Sequence, residues 1–502
     1  MKTGIFNSTF FLCCFLFFSM NSYSQTENFK LSDYKNPDYK YHSLDLGLNL
    51  HNVHSNTYLN NNGTGEASSS TSAENSLTAY YTQQKNSIRN QSGLDISLNS
   101  LYRLSFPGHQ TNKKNSNLAE RINLNGYYTR FYNKNWFWRS SYSFSHSFYA
   151  RLENSDLVRP KEQGSFPYHL YAQNYRTTLS GSASFVVGKG RVEQIEDAQL
   201  AIYILDDLKK NGALNRDATT EEIGKLANLI TELKFKRAFD SRLKRIDDMK
   251  QLDSFLVSNG LAKSGIEYFT SLNDMWDYAY KPSRLSGNDF YGGLKLGDAW
   301  SFDYIYTKTD TSVMYPDYAH GIFNNSLNPS VILGLGSYKP INNRWQKDAY
   351  LYAGIACKQM REMQRYYKNT PDLIIKMSEH PIITINGNYG YSFYPNTRTW
   401  FDFDWRLNAF YNRYYAKPEN RDVSVIETDL NISTGPHIGV YYYISPRLLL
   451  SASLELPNQF SFSRNYNHFY NEDGSILSSV FDDHYRNDLY FIFGTGLVFK
   501  VF

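Results

Sequence analysis

Asp402, Asp404 and Arg406 occupy every second position of the stretch TWFDFDWRLNAFYN. In an extended chain that spacing puts the three charged side chains on one face, about 6–7 Å apart. Two carboxylates and a guanidinium arranged in this way have two uses. They form a charged constriction that selects permeating ions, or a hydrogen-bonded network that stiffens an interior. Arg139, Asp429, His437 and Glu455 lie at the polar positions of other alternating stretches and extend the same candidate lining.

A second charge cluster is of another kind. Lys234, Lys236, Arg237, Arg242, Lys244 and Arg245 form a basic run interrupted by Asp240. Such a run docks an acidic protein or an anionic polymer, or it is a solvated helix face beside Asp247 and Asp248. Hydrolysis would need Ser, His and an orienting polar group to converge. His437 lies near Ser433 by spacing, and His146 lies on an aromatic face by alternation, but neither carries a nucleophile motif. No zinc, phosphate-loop or dinucleotide motif appears in its required context, so the chain is read as a non-enzyme without cofactor or metal.

The elements that position these residues are strands with two unlike faces. Phe401, Phe403, Trp405, Leu407, Ala409 and Tyr411 alternate with the Asp402 series. Trp136, Trp138, Tyr142, Phe144 and Phe148 oppose Arg139, Ser141, Ser143, Ser145 and Ser147. Leu430, Ile432, Ile438 and Val440 oppose Asp429, Asn431, Ser433 and His437, and Leu448 to Leu456 opposes Ser451, Ser453 and Glu455. The final stretch, Asp488 to Phe502, reads as one long strand with Leu489, Phe491, Phe493, Leu497, Phe499 and Val501 on one face. A strand of about 10 residues, apolar on one face and aromatic at its end, fits a barrel wall in a bilayer.

Composition agrees. Aromatic residues make up 17% of 502 residues, while mean hydropathy is only −0.54. Aromatic girdles and a wet lumen would account for both. A formal net charge of +4 is small for this length and argues against a dedicated nucleic-acid binder. Lys2, the apolar Phe10–Phe18 and Ser22-Tyr23-Ser24 before Gln25 read as a secretory signal over residues 1–24. Its removal leaves Cys357 alone, so no internal disulfide is expected.

Along the chain, residues 25–41 read as a loose lead-in, 52–75 as a flexible loop and 150–167 as a charged, proline-containing loop. Residues 358–380 read as a polar loop with a short helix possible at 360–366. The period changes from two to about 3.6 after Gly190. Leu200, Ile204 and Leu208 make one helical stripe. Thr219 and Glu222 form a capping box ahead of Ile223, Leu226, Ile230 and Leu233. The pattern continues through Phe239, Leu243, Ile246, Met249 and Leu252, then fades through Trp276 and Tyr280. The expected organisation is a first barrel half over 25–189, a helical insertion over 190–284 and a second half over 285–502. The strands total about fourteen, and an even count leaves both termini and the insertion on the periplasmic side.

Gly496, Phe499, Val501 and the terminal Phe502 resemble the C-terminal signal read by the outer-membrane barrel insertion machinery, with Gly494 where a polar residue is expected. The mature chain resembles porin-like outer-membrane barrels of Bacteroidota. The segments GKGRVEQIEDAQLAIYILDDL and KFKRAFDSRLKRIDDMKQLDSFL are similar to the helical part of uncharacterised barrels of that phylum. The resemblance implies an integral outer-membrane protein and no particular substrate. The expectation is therefore an all-β transmembrane barrel with an inserted α-helical periplasmic subdomain. It would act as a pore for passive diffusion or export, with the helices as gate or docking module for a periplasmic protein or anionic polymer. Its further partners are outer-membrane lipids and the insertion machinery, and no oligomeric state follows. The alternatives are a non-conducting scaffold or surface-binding barrel and a membrane-embedded hydrolase.

Overall fold

A chain that alternates apolar and polar side chains can serve two environments at once only when extended, with its backbone bonded to neighbouring strands. The computed structural model describes residues 29–61, 64–107, 114–132, 135–161, 164–236, 241–263, 265–279, 284–309, 318–366, 373–418, 423–446, 448–470 and 476–499. The signal segment, Arg237, Phe239, Asp240, Tyr280, Val501 and Phe502 lie outside the described residues.

Six strands precede the helices: β1 (Tyr39–Asn61), β2 (Thr64–Asn86), β3 (Asn90–Pro107), β4 (Lys114–Phe131), β5 (Trp136–Lys161) and β6 (Gly164–Gln194). Four helices follow: α1 (Glu196–Lys210), α2 (Thr220–Phe235), α3 (Ser241–Ser258) and α4 (Ile266–Asp277). The sheet then resumes with β7 (Leu285–Thr309), β8 (Tyr318–Pro340), β9 (Trp345–Tyr366), β10 (Leu373–Phe393), β11 (Thr399–Pro418) and β12 (Val423–Ser445). It ends with β13 (Leu448–Glu455), β14 (Asn458–Tyr470), β15 (Ile476–Leu489) and β16 (Ile492–Phe499).

Every ladder is antiparallel and joins sequence neighbours through β1 to β12. β12 then pairs with β13 along one half and β14 along the other, while β16 continues from β13 and β15 from β14. The 16 segments therefore make fourteen staves (16 − 2), because β13 with β14 and β15 with β16 are two broken staves. The fold is an up-and-down β-barrel with a helical insertion between its sixth and seventh staves. Among the described residues no ladder joins β1 to the last stave.

The C-terminal stretch is thus not one continuous strand. It breaks at Tyr490–Phe491, opposite the break at Leu456–Pro457. Pro457 has no N–H to give the ladder. The bonds that remain there are Leu456 N–H to the Pro436 carbonyl at 3.1 Å and Tyr490 N–H to the Pro457 carbonyl at 3.0 Å. The expected loops at 52–75, 150–167 and 358–380 are also corrected. Each lies largely in a hairpin ladder, closing at Asn61↔Thr64 and Lys161↔Gly164, with β9 running on to Tyr366. Past the apolar belt the staves keep their backbone bonds but no longer need apolar alternation, so the strand signal fades while the strand continues.

The helical unit has a core of its own. Leu200, Ile204 and Leu208 of α1 pack with Ile223, Leu226, Ile230 and Leu233 of α2, Leu252 and Leu256 of α3, and Leu272 and Trp276 of α4. The Thr219 hydroxyl accepts the Glu222 N–H at 3.3 Å, and the Glu222 carboxylate accepts the Thr219 N–H at 2.8 Å. Leu243 and Ile246 are exposed, because α3 buries its Leu252–Leu256 end instead. Trp276 belongs to a fourth helix rather than to a fading one. The lead-in is not loose: Leu31 and Tyr34 are buried in this same core, and a 3-10 turn at Leu31–Asp33 lies against β7 and β8.

Where β6 and β7 leave the sheet for the helices they approach closely. Gly190 has φ +122, and a Cβ there would sit 2.0 Å from the Asn288 carbonyl oxygen. Two residues further along the same ladder, opposite Val192, Gly287 has φ +124, and its Cβ would sit 2.1 Å from the Arg191 carbonyl oxygen. Gly190→Ala is expected to cost about 1–3 kcal/mol, measured as a lower melting temperature of the β-sheet circular dichroism. Gly212→Ala, at φ +67 with open space around it, should cost less. Equal melting temperatures for both variants would contradict the close crossing.

Candidate functional site

The register of β11, β12 and β13 assembles the charged residues. It sets Asp404 opposite His437 and His437 opposite Glu455. His437 Nδ1 lies 3.2 Å from Asp404 Oδ2, and its Nε2 lies 3.9 Å from Glu455 Oε1. Arg406 closes the ring, with Nη1 2.5 Å from Glu455 Oε1 and Nη2 3.5 Å from Asp404 Oδ2. Asp402 is on the same face, one step nearer the β10–β11 turn and opposite Ser392. Asp429 shares the face but lies about 26 Å along β12 from His437, opposite Asn412.

Arg139 belongs to a separate group on β5. Its Nε donates to Thr129 at 3.0 Å, and its Nη2 reaches Asp289 of β7 at 3.7 Å. It crosses β6 beside Gly188, where a Cβ would meet the Phe137 ring at 2.5 Å. The two histidines singled out in the sequence meet no serine here: His437 lies against the Asp404 carboxylate, and His146 bonds Thr177 at 3.1 Å on the outer face.

Tyr80, Tyr127 and Tyr350 share the face of Asp404 by register and are exposed, as Leu351 is on the other face.

The turns at 87–89, 132–135, 341–344, 394–398 and 446–447 lie at one edge of the sheet, and the helical unit lies at that same edge. Arg284, at the end of the insertion, is buried. Its guanidinium donates to the carbonyls of Asn342 (2.5 Å), Asn343 (2.7 Å) and Trp345 (2.7 Å) and to Gln346 Oε1 (3.0 Å). It also lies 5.2 Å over the Tyr394 ring. Burial lowers its pKa to about 10, which leaves it charged at neutral pH. From α1, Tyr203 Oη donates to the Tyr394 carbonyl at 2.6 Å and Gln199 donates to the Asn343 carbonyl at 2.9 Å. Burial pushes the Tyr203 phenol up to about 12, so it keeps the proton it donates. From α4, Asp274 pairs with Arg398 at 2.5 Å, and Tyr278 packs with Tyr394, Trp400 and Tyr443.

On the opposite side, Phe235 of α2 stacks on Tyr39 of β1 at 4.3 Å. The unit and its lead-in therefore reach from β1 to the β8–β9 and β10–β11 turns. The ring of Asp404, Arg406, His437 and Glu455 lies on the inner face of the staves that these turns join.

The basic run does not make an open docking face. Lys234 is buried and pairs with Asp197 at 2.5 Å, because Ile230 and Leu233 turn that side of α2 into the core. Lys236 pairs with Asp247 at 2.6 Å and Arg245 with Asp277 at 2.6 Å. Lys244 donates to the Lys234 carbonyl at 3.3 Å, and Arg242 is exposed with a partner of its own. Gly496 faces Ser451 across the β13–β16 ladder, and Phe499 is the last residue of β16.

The Lys234–Asp197 pair exposes a further group that spacing did not flag. Glu196 lies beside it, and its Oε2 is shut off from solvent without a hydrogen-bond partner. Tyr34 of the lead-in closes over the pair through Thr231, which donates to Asp197 at 2.7 Å. Burial, and then the neighbouring Asp197 charge, raise the Glu196 carboxyl from 4.5 to about 7.

No protein-family model matches the sequence, and no curated protein matches it. Solved structures similar to it include the translocator domain of autotransporter NalP from Neisseria meningitidis, at 9% identity and a TM-score of 0.23 over 82% of this chain and 91% of that one. The siderophore receptor PirA from Acinetobacter baumannii is similar at 7% identity and a TM-score of 0.17, over 93% and 75% of the two chains. A ferric enterobactin receptor from Pseudomonas aeruginosa is similar at 8% identity and a TM-score of 0.14, over 93% and 82%. Identity and TM-score are low in all three, so the likeness bears on no particular residue.

Two outcomes follow from the mouth. Arg284→Ala removes all four bonds to the β8–β9 turn and leaves buried carbonyls unpaired. Hydrogen exchange at residues 341–346 is expected to speed at least about tenfold, the equivalent of one such bond at 1.4 kcal/mol. A folded Glu196 that holds its proton to about pH 7 binds more protons than the unfolded chain above 4.5. Its stabilising share is complete below 4.5 and lost as pH rises through about 7. Exchange protection of the helices should fall across that window and flatten in Glu196→Gln. A Glu196→Gln variant with an unchanged profile would assign the effect elsewhere.

Proposed function

We propose that this protein is an outer-membrane barrel whose wet lumen carries solutes by passive diffusion or export, with the helical unit as a gate at the periplasmic mouth. The membrane reading rests on the outer face. On β7, Phe290, Leu294, Leu296, Trp300 and Phe302 are all exposed and all point outward. Val331, Leu333 and Leu335 of β8 and Leu351 and Ile355 of β9 continue the surface. From Phe290 to Phe302 is about 40 Å along the strand, which a 45° tilt projects to about 28 Å, close to the apolar band of such barrels. So large an exposed apolar surface is untenable in water. At the edge away from the helices β1–β2 and β5–β6 run on well past the apolar belt, as extracellular hairpins of such barrels do, and this supports a periplasmic position for the helical unit.

The observation that carries the gate is the way the helices are held. They have their own core, and they meet the barrel through polar contacts to turns from Arg284, Tyr203, Gln199 and Asp274 and through two aromatic contacts, Tyr278 and Phe235. An independently folded body held in this manner can leave the mouth without unfolding. The four-residue ring of Asp404, Arg406, His437 and Glu455 is then the charged lining met just behind it.

The test is single-channel recording of the folded protein in planar bilayers, with and without residues 191–280, and with Arg398→Ala added to the full chain. Small or rare steps in the full chain, larger ones in the deletion and more frequent opening in Arg398→Ala are expected. Silence in every inserted form would overturn the pore and leave a non-conducting scaffold, for which the buried Arg284 clamp would be a permanent closure.

A further inference from the structure

Register sorts charge between the two faces of the wall at the edge where the helical unit lies. Among the described residues, the first eight of each stave from that edge hold seven inward carboxylates: Asp45, Asp95, Asp289, Asp348, Asp402, Asp404 and Glu455. The inward cations of the same zone are two, Arg139 and Arg406, so its inner face carries a net −5. The outward positions hold Lys40, Lys85, Arg130, Lys189, Lys339 and Lys347. Their one carboxylate, Glu193, pairs with Arg191. Arg284, Arg344 and Arg398 stand beyond the staves, in the insertion and the turns. The edge is therefore not acidic as a whole; it is polarised across the wall.

The inward excess survives the ion pairs. Asp289 reaches Arg139 at 3.7 Å, and Asp404 and Glu455 share the single Arg406. Asp402 lies one step from Asp404 on the same face, so two carboxylates of β11 meet one guanidinium there. Farther along the staves the inward charges are more evenly matched: Glu74, Glu153, Asp303 and Glu379 each sit with a cation, Arg103, Arg151, Arg176 and Lys358. Arg139 itself shows how this lining holds a cation. Its guanidinium lies 5.1 Å from the Phe137 ring centre and 5.5 Å from that of Tyr291, beside the Asp289 carboxylate. Aromatic faces and carboxylates together attract a cation and offer an anion nothing. Tyr338, Tyr350 and Tyr441 place further rings on the inward face of the same zone.

We propose that the lumen passes cations in preference to anions, with the inward carboxylates of β1, β3, β7, β9, β11 and β13 as the selecting ring. Walls of low dielectric constant focus such a field into the space they enclose. A potential of about one kT enriches a monovalent cation about threefold and depletes an anion by the same factor, a permeability ratio of about seven. The inference rests on the pore reading and adds to it the sign of the charge that passes.

The experiment is the reversal potential of the full-length protein in a planar bilayer at neutral pH, across a gradient of KCl. Potassium is expected to permeate about seven times more readily than chloride. The preference should shrink in about 1 M salt, where the Debye length falls to about 3 Å. Asp45→Asn with Asp95→Asn, and separately Asp348→Asn with Asp402→Asn, should each bring the ratio closer to one. Arg139→Gln should raise it. Glu74→Gln with Arg103→Gln removes one charge of each sign farther along the staves and should leave it unchanged. The two carboxylate pairs are independent, so one that fails to insert leaves the other as the test. A conducting wild type with a ratio of one, or one that favours chloride, would overturn the selectivity. An undiminished ratio in the carboxylate variants would overturn the ring as its source. Silence in every form would instead overturn the pore reading, and the selectivity with it.

Discussion

The constraint on which the rest depends is that the wall is one strand thick. Its backbone is hydrogen-bonded within the wall, stave to neighbouring stave. In such a wall each residue can face only outward or inward, and the next must face the other way. Phe290 to Phe302 on the outside of β7 and Asp289, Lys295 and Asp303 on the inside are two readings of that one rule. The sorting of Arg361 outward and Glu362 inward at adjacent positions is a third.

The same constraint explains why the helices stand apart. A wall strand has no core to share with an amphipathic helix, so the insertion folds around Leu208, Ile230 and Leu256 and brings the lead-in residues Leu31 and Tyr34 with it. What joins it to the barrel is a set of polar contacts to turns and two aromatic ones, at Tyr278 and Phe235. Arg284 is the extreme case: a buried cation satisfied by three carbonyls and an amide rather than by a carboxylate. Such a clamp is specific because carbonyls left unpaired at a buried site are costly. Asp274 with Arg398 is exposed and contributes less, of order 0–1 kcal/mol. The cap is thereby fixed at the Arg284 clamp and at the aromatic contacts of Tyr278 and Phe235.

Much of this was legible in the residues and some was not. Alternation around Asp402, Trp136 and Leu448 found the staves, and the shift of period after Gly190 found the helices. The fourteen staves emerge because each break, at Pro457 and at Tyr490, interrupts a stave without ending it. The extents of β1, β2, β5 and β9 were not legible. Beyond the belt both faces are polar, so Ser, Asn and Thr in a ladder look like Ser, Asn and Thr in a loop. The basic run was legible only in part: a helical register says which residues share a face, not which face meets the core, and Lys234 proved to be inside.

By itself the sequence determined parity: which residues of a stave share a face, where strand gives way to helix, and that Asp402, Asp404 and Arg406 project together. These properties depend on neighbours within about one turn or one pleat, so they are written locally. Only the tertiary structure decided partners. Nothing near Arg284 in the chain announces the β8–β9 turn, nothing near Arg406 announces Glu455, and nothing near Arg139 announces Asp289. Those pairings are set by strand register and by the crossing of β6 and β7 at Gly190 and Gly287, which are sums over the whole sheet rather than properties of any one stretch.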